Sequence, residues 1–207
     1  MEVVVVTTQG VEFREAEQYL PLVSALRRDR IAKKLRDEDK LQALAAGLLL
    51  SGELSRRSGI PRERLRYSHG PFGKPYLIGG GVEFSLSHTR GAVCAAFSGE
   101  SEVGADIERR DRRVSERLYS RVLSGSERRN EISGEDFIRL WVQKEAFLKR
   151  LGTGIADDLR GVDTTLLRDT AARECGEYFV GLSGPGAESA EIRVITFREM
   201  EDLIRNS

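Results

Sequence analysis

The sequence predicts an α+β fold made of two similar halves, residues 1–105 and residues 106–207. Three observations carry this prediction. Each half holds one long segment with apolar residues at helical spacing. Each half also holds several short runs of strand type, and no low-complexity linker divides the two. No repeat is visible residue by residue.

In chain order, Val3 to Val6 reads as a buried first strand, because a short β-branched run suits a sheet interior. Glu15 to Lys34 is helical in pieces, broken at Pro21. A longer helix runs from about Asp37, a candidate N-cap, to Arg57, with Leu41, Leu44, Ala45, Leu48 and Leu49 as its stripe. Lys74–Ile78 and Val82–Leu86 flank Gly79 to Gly81, which predicts a hairpin. Ala92–Phe97 and Glu102–Glu108 follow around the turn Ser98 to Ser101. A second helical region begins near Arg113 and includes Glu135–Leu151, stopped by Gly152. Glu177–Leu182 and Glu191–Phe197 read as late strands.

With 207 residues, 40% of them hydrophobic, the chain can bury a real core without metal or disulfide staples. The 33 Lys+Arg balance 33 Asp+Glu, which argues against a general nucleic-acid coat, although local clusters can still bind phosphate. No apolar run approaches the ~20 residues of a membrane span. The first ten residues lack the basic n-region of a signal peptide. Cys94 and Cys175 are too few for a disulfide framework and lack histidine neighbours for a metal cluster. A soluble cytoplasmic protein is expected, with no membrane or nucleic-acid partner.

Val103-Gly104-Ala105-Asp106-Ile107-Glu108 alternates on a strand, so both carboxylates share one face while Val103, Ala105 and Ile107 take the other. Side by side they repel unless a cation intervenes, and oxygen-only ligands suit Mg²⁺. On spacing alone, the solvent face of an edge strand is the commoner explanation. Along the later helix, Phe137, Leu140, Trp141, Phe147, Leu148 and Leu151 form an apolar stripe with Lys144 near its middle. A lysine there must snorkel out or meet an anion. Glu145 and Lys149 have the spacing of an ordinary surface ion pair. Gly73-Lys74-Pro75 on its own is an ordinary turn, and His69 reads as a turn residue. Ser87 and His88 are strand neighbours facing opposite ways, so they are no catalytic dyad. Arg27, Arg28, Arg30, Lys33 and Lys34 form a basic cluster that would serve equally as a solvated helix face.

Taken together and in order, Gly73-Lys74-Pro75, Phe84-Ser85-Leu86-Ser87-His88, Val103 to Glu108 and Trp141-Val142-Gln143-Lys144-Glu145-Ala146-Phe147-Leu148-Lys149 resemble the Sfp-type 4′-phosphopantetheinyl transferases. The resemblance runs from about Arg27 to Gly154. It implies halves related by a pseudo-twofold, with coenzyme A between them. Members of that family move the phosphopantetheine arm of coenzyme A onto a serine of an apo acyl or peptidyl carrier protein, with Mg²⁺, and release adenosine 3′,5′-bisphosphate. Carried over by position, Asp106, Glu108 and Glu145 become the metal set, and Glu145 also the general base. Lys149 becomes the catalytic cation on the pyrophosphate. The coenzyme A contacts become Arg27, Arg30, Lys74, Pro75, Ser87, His88, Lys144 and Lys149. Gln42 departs from the pattern where relatives carry arginine, which leaves Lys40 or Arg36 as substitutes toward the 3′-phosphate. Val142 replaces the small or hydroxyl residue usual after the tryptophan, which implies a packing variation. Two fused halves make a monomer the expected state. The rival readings are a non-catalytic coenzyme A-binding module and a nucleic-acid binder. Three retained carboxylates argue against the first, and the neutral net charge argues against the second.

Overall fold

The computed structural model describes residues 1–129, 132–154 and 159–205. In chain order, β1 (Glu2–Thr7) leads through α1 (Phe13–Ala16) and α2 (Ala25–Ala32) into the long α3 (Asp37–Ser58). β2 (Tyr67–His69) and β3 (Pro75–Leu77) form a small ribbon, followed by β4 (Glu83–Thr89), β5 (Ala92–Ser98) and β6 (Gly104–Arg109). After α4 (Glu116–Val122) and α5 (Gly134–Leu151) come β7 (Thr170–Cys175), β8 (Tyr178–Ser183), β9 (Ile192–Thr196) and α6 (Phe197–Arg205).

Two sheets pack face to face, and a long helix covers the outside of each, so the layers run α-β-β-α. The first sheet has the order β4-β5-β1-β9 and the second β6-β8-β7. Alternation along the strands builds the layers. Val4 and Val6 of β1, with Val93, Ala95 and Phe97 of β5, face α3 and its Leu41, Leu44 and Leu48. Val3, Val5, Cys94 and Ala96 face the other way, onto Val103, Ala105, Ile107, Val180 and Leu182 of the second sheet. Beyond that sheet, Phe179 meets Phe137, Ile138 and Val142 of α5. Burying each such valine or phenylalanine is worth roughly 1.5–3 kcal/mol.

Two expectations are corrected, and two pairings are added. Asp37 is the first helical residue of α3 rather than its cap; Arg36 holds the cap position, and Asp37, Glu38 and Asp39 fill the first turn, where the helix dipole favours acid. No hairpin forms across Gly79 to Gly81, because β3 pairs with β2 and β4 pairs with β5. Chain neighbours β5 and β6 lie in different sheets. β9 pairs in parallel with β1, and Phe197 and Met200 of α6 join the first core. A division at residue 105 therefore does not follow the sheets to the end of the chain. The cause is β1, which is buried on both faces and takes a partner on each edge.

Candidate active site

The site lies where an edge of one sheet meets an edge of the other. β4 and β6 share no backbone ladder. Alternate residues of β4 bridge them instead. The Ala105 amide donates to Ser85 Oγ at 2.9 Å, Ser87 Oγ donates to Asp106 Oδ1 at 2.6 Å, and Thr89 Oγ1 donates to Glu108 Oε2 at 2.9 Å. Period two thus turns Ser85, Ser87 and Thr89 toward the second sheet while Phe84 packs in the first core.

Two glycines bring α5 onto this seam. A Cβ on Gly104 would stand 1.8 Å from Ala146 O, and one on Gly181 would stand 1.9 Å from Val142 O. Helix backbone therefore lies directly on strand backbone, and Glu145 sits beside Asp106. Val142, the departure from the family pattern, is fully buried in this packing.

The electrostatics follow from that closeness. Glu145 is 3% exposed, and burial, helped by Asp106 and Glu108 and opposed by Lys149 and Arg112, pushes its carboxyl up to about 7. Burial also raises Glu108, with Arg112 opposing and Asp106 adding to it. Lys149 Nζ donates to Asp106 Oδ1 at 2.6 Å and to Ser87 Oγ at 2.9 Å. The second oxygen of Asp106, Oδ2, is buried and has no hydrogen-bond partner. A buried carboxylate oxygen left unsatisfied is costly and calls for an explanation. Arg112 pairs with Glu108 and lies over the ring of Trp141, 4.8 Å from its centroid.

The other sequence-selected residues divide into two groups. Arg27, Arg30 and Pro75 line a cleft of about 540 Å³, together with Arg62, Arg66, Tyr67 and His69. Arg27 lies across Gly47, where a Cβ would stand 2.5 Å from its Cδ. His69, read from sequence as a turn residue, is in strand β2 and lines this cleft. Arg62 and Arg66 went unnoticed; their only signal was the alternation Arg62, Arg64, Arg66 before the ribbon. His88 is exposed, and crowding by the chain plus the charges of Lys34 and Lys149 lower its pKa.

Lys144 does not reach any of this. It is fully buried and donates to Glu127 Oε2 and Val122 O, each at 2.6 Å, so as a coenzyme A contact it is withdrawn. The helical stripe explains why: Lys144 points away from the seam, and only an anion inside the fold makes its burial tolerable. Ser87 is 8% exposed and already engaged by Asp106 and Lys149, so it positions those groups. Lys74 spends two of its three donors on Arg150 O at 2.9 Å and Val103 O at 3.3 Å, tying the ribbon to the end of α5. Neither substitute for Gln42 lines the cleft. Lys40 pairs with Asp37 at 2.7 Å, Arg36 is absent from the lining, and Gln42 itself donates to Thr89 O at 2.8 Å.

A buried acid titrating near neutrality, beside a second carboxylate and a lysine and with an arginine-lined cleft in the same molecule, is the arrangement expected of an enzyme site that handles a phosphorylated substrate. Residues 102–190 match the 4′-phosphopantetheinyl transferase superfamily. The chain is 26% identical over 164 residues to the 4′-phosphopantetheinyl transferase ffp of Bacillus subtilis, covering 75% of this chain and 71% of that one. It is 25% identical over 162 residues to Sfp of B. subtilis strain 168, with the same coverage. It is 32% identical over 140 residues to AcpT of Salmonella typhimurium, covering 64% of this chain and 69% of the relative. The chain belongs to the 4′-phosphopantetheinyl transferase superfamily, resembles its Sfp-type members, and is a transferase. Among the described residues, no helix is long and apolar enough to cross a membrane.

Proposed function

We propose that this transferase moves 4′-phosphopantetheine from coenzyme A to a serine of an apo acyl or peptidyl carrier protein, with Mg²⁺, releasing adenosine 3′,5′-bisphosphate. In this reading the serine oxygen bonds to the pantetheine-bearing phosphorus as the pyrophosphate bridge breaks. Glu145 takes the serine proton, directly or through a water. The observation that carries the reading is the pairing of Glu145, titrating near 7, with Asp106 and its unsatisfied oxygen.

The donor set fits a hard divalent cation. Among the described residues no three acidic, histidine or cysteine side chains are close enough to form a closed metal cage. Mg²⁺ needs no such cage, since it takes one or two carboxylates and fills the rest with waters and substrate phosphates. Asp106 Oδ2 and Glu145 would hold it first, with Glu108 as the third carboxylate. Bound there, the ion would neutralise charge developing on the pyrophosphate. Lys149 places a fixed positive charge beside the same oxygens. Arg27 and Arg30 supply the wall for the 3′-phosphate, with Pro75 shaping the cleft below; Lys74 and His88 complete the phosphate contacts. The working unit is one chain, because both edges of the seam belong to it.

The test mixes the protein with coenzyme A, Mg²⁺ and apo carriers of the fatty-acid, polyketide and peptide classes. At least one carrier should gain the mass of one phosphopantetheine. Glu145→Gln should slow transfer by roughly 10²–10⁴-fold while coenzyme A binding changes far less. No mass shift on any carrier class, with coenzyme A still bound, would overturn the reading. The cleft has its own test: 3′-dephospho-coenzyme A should bind the wild type more weakly than coenzyme A. An Arg27→Ala/Arg30→Ala variant should lose that preference, each charge-assisted contact being worth ~1.5–3 kcal/mol.

A further inference from the structure

Asp106, Glu108 and Glu145 lie along the seam within electrostatic reach of one another, yet they are not equally available. Asp106 keeps one buried oxygen without a partner. Glu108 has none to spare: Thr89 Oγ1 donates to one oxygen at 2.9 Å, and the Arg112 guanidinium holds the other. Arg112 is four residues beyond Glu108, where the chain leaves β6, and its flat group lies over the face of Trp141, 4.8 Å from the ring centroid. That face attracts a cation independently of Glu108. The guanidinium therefore has two holds, one on the carboxylate and one on the ring.

We propose that Arg112 is the internal counter-ion of Glu108, and that a divalent cation recruits Glu108 only by displacing it. The inference rests on the metal reading above. Asp106 and Glu145 receive the ion first, and Glu108 joins as Arg112 gives up its carboxylate contact. Charge favours the exchange. Before coenzyme A brings its phosphates, the three carboxylates already face Lys149 and Arg112, so adding a divalent cation leaves the cluster over-compensated unless one of the two moves off. Lys149 is held by both Asp106 and Ser87, at 2.6 and 2.9 Å. Arg112 is the one with a second place to rest. Two cations competing for one carboxylate must each weaken the other's binding. Arg112 thus sets how much free metal the enzyme needs and withholds the complete site until metal is present.

The chain carries a single tryptophan, which gives a direct readout. Mn²⁺ serves as the probe ion, its free concentration followed by electron paramagnetic resonance on the full chain, with and without coenzyme A. Arg112→Met keeps an unbranched side chain over Trp141 but no charge, and should bind Mn²⁺ about tenfold more tightly than wild type, the scale of one charge-assisted contact. Arg112→Lys keeps the charge and should stay near wild type. Mn²⁺ or Mg²⁺ should change Trp141 emission in the wild type and leave it nearly unchanged in Arg112→Met. Equal or weaker Mn²⁺ binding by Arg112→Met, with wild-type binding that Asp106→Asn abolishes, would overturn the proposal and leave the metal site standing. An unaltered emission change in Arg112→Met would overturn it too. If no variant binds Mn²⁺ even with coenzyme A, the metal reading falls and this inference falls with it.

Discussion

Helix α5 carries two lysines five residues apart, and each meets a buried carboxylate, yet the two pairs have opposite character. Lys144 and Glu127 form a closed pair. The ammonium also has Val122 O and Leu159 O, while Glu127 takes the Ser124 amide and both the amide and hydroxyl of Thr164. Burial pushes the Glu127 carboxyl up, but the hydrogen bonds from Lys144 and Thr164 outweigh it and hold the group below its ordinary value. Lys149 and Asp106 form an open pair, with one carboxylate oxygen left unsatisfied and a second acid pressed against it. A saturated ion pair fixes loops on a helix. An unsaturated one keeps unspent attraction for something that arrives from outside, and that separates the framework of this protein from its chemistry.

The largest expected difference is in activity. Asp106→Ala should abolish transfer yet leave the thermal midpoint within a few degrees of wild type, since the carboxylate it removes is under-satisfied. Mass spectrometry of the carrier and a melting curve, read on one sample, check both halves of that statement. An active Asp106→Ala protein would remove Asp106 from the metal set.

Lys144→Met should do the reverse. Breaking a buried pair by deleting one partner leaves an uncompensated charge and costs about 3–5 kcal/mol, read from denaturant unfolding. Adding Glu127→Gln should recover a good part of it. Coenzyme A affinity of the folded fraction should stay put, because Lys144 faces away from the cleft.

pH should separate the pairs by sign. Below about pH 4.5 Glu145 is protonated whether the chain is folded or not, and it contributes nothing. Above that, up to about 7, the folded chain keeps a proton the unfolded chain has lost. Stability then falls as pH rises, by up to about 3 kcal/mol in total. Glu127, depressed in the fold, contributes stability above its ordinary range and loses it as pH falls through its folded value. Unfolding curves from pH 2 to 8 on wild type, Glu145→Gln and Glu127→Gln would resolve the two, with the Glu145→Gln curve lacking the decline above about pH 4.5 and the Glu127→Gln curve lacking part of the loss below it.

Ser87→Ala is the mildest change. It removes the hydroxyl that orients both Asp106 and Lys149, and should cost about tenfold in kcat while leaving KM for coenzyme A nearly unchanged.

Local pattern makes part of this legible in the sequence itself. Alternation sorted Asp106 and Glu108 from Val103, Ala105 and Ile107, because strand faces are a matter of period two. The stripe flagged Lys144 as needing an anion, but Glu127 lies 17 positions away and no local rule finds it. Pairing was the weaker part. Two apolar runs around Gly79 to Gly81 look like a hairpin, yet each takes its partner from elsewhere in the chain. β7 was missed because Thr-Ala-Ala-Arg-Glu-Cys has neither alternation nor β-branched weight. Leu151 has the spacing of the α5 stripe but is 48% exposed, at the last residue of the helix. Gly181 carried no signal at all, since its role is the approach of a helix that is distant in sequence.

The parallel pairing of β1 with β9 has a consequence for how the chain reaches its fold. Val3 finds its neighbour Ile192 only after nearly everything between them has left the ribosome. Until then β1, apolar on both sides, shows one bare edge to the surrounding solution, a template on which another chain can add. Such late, long-range closure slows folding and lengthens exposure to aggregation. Fragments ending before Ile192 should therefore precipitate during expression even though their first core is nearly complete, and supplying the missing strand as a fused segment should restore solubility.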